Sequence, residues 1–206
     1  MLVERKIITK DEADDALSNI KCKASLAEAT KDADFVIEAV TENMDVKKHI
    51  FKELDELCPE HMILATNTSS FSITEIASAT DRQDKVVGTH WWNPPYLMPL
   101  VEIVKGERTS TETINVTKDF ITRLGKVPVI CKDSPGFLGV RLQAALVIEA
   151  ISMLEEGLAS AEDIDTAVKM TLGFRAPILG PLETVDLGRC LEYQKNLNSI
   201  RCFSKT

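Results

Sequence analysis

The sequence predicts an α/β protein in which a mostly parallel β-sheet comes first and an all-helical unit follows. Three observations lead to this prediction. Short β-rich segments alternate with segments of helical periodicity up to about residue 132, which is typical of a parallel sheet with crossover helices. Residues 34–40 are mostly apolar, as expected for a strand buried on both faces. Beyond residue 133 only helical segments remain, and glycine and proline separate them.

Helices in the first part are predicted from capping motifs and from spacing. Capping boxes, in which Ser or Thr precedes Glu by three residues, begin predicted helices at Thr9, Ser72 and Thr109. We expect these helices to end near residues 17, 79 and 125, respectively. Apolar residues recur at helical spacing over 46–57, and a short helix is expected near 26–30.

Strands are predicted where apolar and β-branched residues cluster. In chain order the predicted strands are 20–24, 34–40, 61–67, 85–90, 100–104 and 127–131. Ligands bind beyond the carboxyl ends of the strands in open α/β sheets. Polar residues at those ends are therefore the first candidates for a functional site.

The helical part begins after the Asp133-Ser134-Pro135-Gly136 breaker. A long helix is predicted from Phe137 to about Glu156, followed by a helix from Ala161 to about Thr171 that Ser160 caps. A third helix follows Gly180-Pro181. This change of character predicts two domains, residues 1–133 and 134–206.

Composition argues against several classes of protein. The net charge of −8 argues against a nucleic-acid surface, which needs clustered Lys and Arg. Five scattered cysteines without a Cys-x-x-Cys pair indicate neither a zinc site nor a disulfide framework. No apolar run approaches the roughly 18 residues of a membrane span, and the first residues lack a signal-peptide core. We therefore expect a cytoplasmic protein with no metal, membrane or nucleic-acid partner.

One pair of residues points to acid–base chemistry. His90 ends a predicted strand and Glu102 lies within the next, so the two could meet across the sheet as a general base and its carboxylate. A lone His at a strand end is more often structural, and residues 67–70 could be only a hydrogen-bonded turn. Glu102 in an apolar strand requires a partner, because burying an unpaired carboxylate is costly. Together these features predict an active site without naming its reaction.

Seven motifs follow one another along the chain: VIEAVTEN at 36–43, NTSS at 67–70, HWWNP at 90–94, LVEIV at 100–104, KDSPGF at 132–137, EDIDTA at 162–167 and GPLE at 180–183. In this order they resemble the L-3-hydroxyacyl-CoA dehydrogenases of β-oxidation and butyrate metabolism. Each motif alone is weak, but their order and near-family spacing make the resemblance specific. It implies an incomplete Rossmann-like sheet in the first domain and a truncated, all-helical, dimerising C-terminal domain in the second.

The resemblance also implies roles for individual residues. His90 matches the catalytic base, and Glu102 matches the carboxylate that orients it. Ser69 matches a catalytic residue that lies near both the substrate's 3-oxygen and the nicotinamide. The other matched positions are Glu42, Lys47 and Asn93 for contact with NAD and Asn67 for contact with the substrate. The implied reaction is NAD-dependent oxidation of L-3-hydroxyacyl-CoA to 3-ketoacyl-CoA, carried out by a homodimer.

Three departures from the family pattern keep alternatives open. No Gly-x-Gly-x-x-Gly occurs, and that phosphate-binding turn is expected upstream of Met1. Val140 stands where the family usually has a substrate-binding asparagine. The likeness stops after Gly188, and we interpret the tail 189–206 as a shortened or shifted reading frame. The alternatives are a dehydrogenase of a small polar 3-hydroxy acid, of carnitine or gulonate type, and a catalytically silent fragment that only dimerises.

Overall fold

The computed structural model describes residues 3–187. The chain forms two compact units that divide between Leu142 and Gln143. The domain boundary predicted between residues 133 and 134 stays a prediction. The tail 189–206, and with it the end of the predicted second domain, lies outside the described residues.

A five-stranded sheet forms the centre of the first unit. Its strands are β1 Phe35–Glu38, β2 Ile63–Thr66, β3 Val86–Trp91, β4 Leu100–Lys105 and β5 Val127–Lys132. They lie in the order β1-β2-β3-β4-β5, and every neighbouring pair is parallel except β3 and β4, which are antiparallel. A short loop joins β3 to β4, and such a connection is too short for a parallel crossover. The predicted mostly parallel α/β sheet is confirmed.

Five helices accompany this sheet. They are α1 Lys10–Ser18, α2 Leu26–Thr30, α3 Met44–Leu57, α4 Ile73–Ala77 and α5 Thr111–Arg123. Each begins at a Ser, Thr or Asn side chain that accepts a backbone N–H of the first turn, which satisfies one of the unpaired donors there. The predicted capping box at Thr9 is confirmed, since Thr9 and Glu12 bond to each other's backbone N–H.

Two local predictions are wrong. Residues 20–24 form no strand: they are exposed, and no described strand offers them a backbone partner. The cap of α5 is Ser110 rather than Thr109. The Thr109 hydroxyl instead donates to the carbonyl oxygen of Val86 at 2.6 Å, and this bond fixes the loop to the sheet.

The sheet buries most of both faces, but not at β1. On one face α3 and α4 pack through Phe51, Leu54, Ile73 and Ile76. On the other face α5 packs through Ile114 and Ile121 against Val87, Val101 and Ile103. Ile37 of β1 is 39% exposed, so the predicted burial of this strand on both faces is wrong among the described residues. At the opposite edge, β5 carries Pro128, which has no N–H to donate.

The described part of the second unit is helical, as predicted. Helix α6, Gly139–Glu155, begins in the last residues of the first unit and continues into the second, and α7 Ala161–Val168 continues into a π-helical turn, Lys169–Gly173. Helix α8 spans Pro181–Leu187. Many apolar side chains of this unit are exposed, among them Ile148, Ile151, Phe174, Ile178 and Leu182. None of the helices found within residues 3–187 has the length and apolar character needed to span a membrane.

Candidate active site

His90 and Glu102 meet because their strands are antiparallel neighbours. They are register partners in the β3–β4 pair, and His90 Nδ1 lies 2.6 Å from Glu102 Oε2. Both side chains are buried, at 6% and 0% exposed. The structure therefore brings together the pair that the strand positions predicted.

The Glu102 carboxylate accepts four hydrogen bonds. Its Oε2 accepts from His90 Nδ1 and from the Trp92 indole at 3.1 Å. Its Oε1 accepts from the backbone N–H groups of Leu138 and Gly139, at the beginning of α6, each at 2.9 Å. Burial raises the pKa of Glu102, but the Gly139 N–H, His90, the Leu138 N–H and Trp92 together outweigh it, so the net pKa is lowered. Glu102 is thus held as a carboxylate despite its burial.

The hydrogen bond to Glu102 determines which nitrogen of the His90 imidazole can accept a proton. A carboxylate accepts only, so His90 Nδ1 carries the hydrogen, and in the neutral ring Nε2 has a lone pair. Nε2 lies 3.1 Å from Ser69 Oγ. Ser69 is exposed, so the hydrogen-bonded line from Glu102 through His90 ends at a hydroxyl that a substrate could reach.

Glu42 organises the turn that presents Ser69. Its Oε1 accepts from the Thr68 hydroxyl, from the N–H groups of Ser69 and Ser70, and from the Ser70 hydroxyl. Burial raises the pKa of Glu42, but these hydrogen bonds and the one from Lys47 outweigh it, so its pKa is lowered. The turn at 67–70 is therefore more than a cap for α4, since its conformation depends on a carboxylate from the β1–α3 loop.

Lys47 lies behind Glu42 rather than at the surface. Its side chain is 1% exposed, and its Nζ contacts Glu38 Oε1 at 2.9 Å, Glu38 Oε2 at 3.1 Å and Glu42 Oε2 at 3.3 Å. Glu38 also accepts from the Thr66 hydroxyl at 2.7 Å. Sequence reasoning missed Glu38, although a carboxylate inside an apolar strand was available as a signal.

The two predicted asparagines lie at neighbouring strand ends. Asn67 Oδ1 accepts the N–H of Trp91 at 2.9 Å, which links the end of β2 to β3. Asn93 is exposed in the loop after β3, before a cis peptide bond to Pro94. The predicted contacts of Asn67 with substrate and of Asn93 with NAD stay predictions.

Sequence reasoning also missed the groups that hold Glu102 from the α6 side. One of these groups is Gly139, which packs against the Trp92 indole. A Cβ on this residue would lie 2.2 Å from Trp92 Cζ2, so only glycine fits there. Phe137 completes the surroundings, with its ring centroid 5.6 Å from that of His90. Within residues 3–187 no cluster of His, Cys, Asp and Glu could hold a metal ion.

Two protein-family models match consecutive parts of the chain. A family model described as 3-hydroxyacyl-CoA dehydrogenase, NAD binding domain, matches residues 1–134. The model described as 3-hydroxyacyl-CoA dehydrogenase, C-terminal domain, matches residues 136–202, so the expectation that the likeness stops after Gly188 is wrong.

Individual relatives agree with these models. The chain is 47% identical over 170 residues to the mitochondrial hydroxyacyl-coenzyme A dehydrogenase of Sus scrofa, covering 82% of this chain and 53% of the relative. It is 49% identical over 160 residues to 3-hydroxybutyryl-CoA dehydrogenase of Clostridioides difficile, covering 78% and 56%. The chain thus spans about half the length of the curated relatives it matches.

Solved structures also resemble the fold. (S)-3-hydroxybutyryl-CoA dehydrogenase PaaH1 from Ralstonia eutropha matches with a TM-score of 0.80 and 40% identity, covering 84% of this chain and 60% of that one. A 5-formyl-3-hydroxy-2-methylpyridine 4-carboxylic acid 5-dehydrogenase matches with a TM-score of 0.83 and 32% identity, covering 87% and 59%.

Proposed function

Because the chain belongs to the 3-hydroxyacyl-CoA dehydrogenase family, we propose that it serves the NAD-dependent oxidation of L-3-hydroxyacyl-CoA to 3-ketoacyl-CoA, with His90 as the general base. The observation that carries the proposal is the line from buried Glu102 through His90 to the exposed hydroxyl of Ser69. The metabolic setting that follows is fatty-acid β-oxidation or butyrate-type metabolism.

The proton is moved by His90. Its Nε2 accepts the proton of the substrate's 3-hydroxyl, while Nδ1–H continues to donate to Glu102. The imidazolium that forms is stabilised by a carboxylate that is already ionised and fully hydrogen-bonded. Ser69 Oγ, at 3.1 Å from Nε2, orients the substrate oxygen that loses the proton.

The residues fit the nicotinamide end of NAD but not its pyrophosphate. Ser69 and Asn93 are exposed at adjacent strand ends, and the Glu42 side chain is 40% exposed beside them. These three would hold the nicotinamide end, and Lys47 would act by holding Glu42. The 206 residues contain no Gly-x-Gly-x-x-Gly turn for the phosphates. NAD supplies the hydride acceptor when it is bound.

The test is NADH oxidation with acetoacetyl-CoA by the purified chain, followed by absorbance. We expect turnover that His90→Gln abolishes, with His61→Gln as the matched control because His61 is exposed and precedes β2, at the opposite end of that strand from Asn67 and Ser69. Turnover that survives in His90→Gln would contradict the assignment of the base.

A second candidate is a dehydrogenase of a small polar 3-hydroxy acid. Val140 favours it, because valine cannot donate the hydrogen bond expected from the family's asparagine. The similarity to a dehydrogenase of a pyridine carboxylate also favours it. Comparing turnover of acetoacetyl-CoA with that of dehydrocarnitine and of a keto-sugar acid separates the two candidates.

A third candidate is a catalytically silent chain that only dimerises through its C-terminal helices. Measurable affinity of the chain for NAD would count against it. The dimer itself is proposed from the exposed apolar side chains of the second unit. The predicted cytoplasmic location stays a prediction, since the relatives include mitochondrial enzymes.

A further inference from the structure

Trp92 contacts both members of the His90–Glu102 pair. Its indole N–H donates to Glu102 Oε2 at 3.1 Å, the same oxygen that lies 2.6 Å from His90 Nδ1. Its ring also meets the imidazole edge-on, with centroids 5.4 Å apart. One carboxylate oxygen therefore serves two donors at once.

Packing fixes the direction of this indole. Gly139 lies directly against the six-membered ring, where any Cβ would collide with Cζ2. The same glycine donates its backbone N–H to the other oxygen of Glu102. The position of the indole and the position of the carboxylate are thus set by one segment of backbone.

We propose that Trp92 is a positioning residue that moderates the basicity of His90 by competing with it for Glu102 Oε2. Negative charge that is shared between two donors stabilises each of them less. Removing the indole N–H leaves Oε2 to His90 alone, so the imidazolium is held more tightly. Only the effect on reaction rate rests on the proposed function, since the competition is a property of the folded chain.

Other titratable groups near the pair do not supply this effect. On the β5 side, burial together with the charges of Glu102 and Asp133 raises the pKa of the Cys131 thiol to about 11, so it stays neutral. Asp133 is occupied by the hydroxyls of Ser72 and Thr74. Beyond Ser69, Glu42 is paired with Lys47.

The test compares Trp92→Phe with Trp91→Phe. Both variants lose one indole N–H and keep an aromatic ring. Trp91 packs in the α5-side core, and its buried Nε1 has no hydrogen-bond partner among the described residues. The readout is the pH at which the His90 ring signal titrates by NMR, with His49 and His61 as internal references.

In Trp92→Phe we expect this pH to rise by about half a unit, because the carboxylate loses one hydrogen bond from an uncharged donor. Trp91→Phe should leave it unchanged. Equal titration in the two variants, or a downward move in Trp92→Phe, would overturn the proposal. If Trp92→Phe fails to fold, the wild-type chain provides the test. The NMR chemical shift of the Trp92 indole N–H should change as His90 titrates, and a chemical shift that stays constant would overturn the proposal.

Kinetics separate this inference from the proposed function. If the chain turns over acetoacetyl-CoA, the acid limb of the pH–rate profile for hydroxyacyl oxidation should move with the NMR titration, while KM changes by less than about twofold. If no turnover is found, the NMR comparison still tests Trp92. An acid limb that stays in place despite a shifted titration would overturn the link to rate.

The packing of Gly139 against the Trp92 indole can be tested separately. Gly139→Ala should lower Tm by about 3–8 °C in the wild-type chain, because the new Cβ collides with the indole. In a Trp92→Phe background the loss should be much smaller, since phenylalanine lacks Cζ2. Equal losses in the two backgrounds would show that Gly139 does not fix the indole.

Discussion

Lys47 and Glu38 form an ion pair in which both side chains are 1% exposed, with Nζ 2.9 Å from Oε1. The pair joins α3 to β1, and through Glu42 it reaches the turn that carries Ser69. Burying two charges is costly, so the pair contributes order at this place more than net stability. The conformation of the Ser69 turn therefore depends on a charge that solvent barely reaches.

Lys47→Met should destabilise the chain strongly. It leaves the Glu38 carboxylate buried without its cation, which costs about 3–5 kcal/mol. Lys48→Met is the matched control, because Lys48 is one-third exposed and pairs with exposed Glu75, a contact worth about 0–1 kcal/mol. Urea unfolding at pH 7 measures both free energies. Similar losses for the two variants would show that the buried pair has no special role.

Glu102→Gln should reveal a stability term that depends on pH. The folded-state pKa of Glu102 lies below its unfolded-state value, so ionisation favours folding above about pH 4.3 and this contribution is lost as the pH falls through the lowered pKa. We expect the variant to be less stable by about 2 kcal/mol at pH 7. The difference in unfolding free energy between Glu102→Gln and the wild type should narrow between about pH 5 and pH 3.

Urea titrations at several pH values measure this gap, and Glu75→Gln, at an exposed site, is the control. A gap that is the same at pH 7 and pH 3 would contradict the ionised state of Glu102. In an active preparation Glu102→Gln should also slow oxidation by roughly 100-fold, because the imidazolium loses its carboxylate.

Ser69→Ala should lower kcat/KM by about 10- to 100-fold with little change in Tm, because its hydroxyl is exposed and contacts His90 Nε2. Ser70→Ala removes a neighbouring hydroxyl that binds Glu42 instead, so its effect on kcat/KM should be smaller. Steady-state kinetics and thermal unfolding of both variants provide the comparison. Equal rates for Ser69→Ala and the wild type would remove Ser69 from the site.

Ile148→Glu should weaken the proposed dimer. Ile148 is 67% exposed on α6, and a charge placed in an apolar interface is unfavourable. Glu149→Gln, one residue along the same helix, is the control. Sedimentation velocity across a concentration series reports the oligomeric state. A wild-type chain that stays monomeric throughout would rule out the dimer for these 206 residues.

Local patterns predicted most of the fold, and neighbouring strands predicted the central pair of the site. The pairing of His90 with Glu102 could be predicted because the two residues lie on adjacent strands. The hydrogen bonds from Leu138 and Gly139 could not be predicted, because 36 and 37 residues separate these donors from Glu102 and no sequence periodicity indicates the contact. The strand predicted at 20–24 was wrong because β-propensity alone provides no partner strand.

Pro128 has a consequence for association between molecules. It lies in β5, the last strand of the sheet among the described residues, and Lys132 is exposed at the end of that strand. An incoming strand would find one backbone donor missing and would come close to the positive charge of Lys132. This side of the sheet is thereby protected against the edge-to-edge pairing from which fibrous aggregates grow.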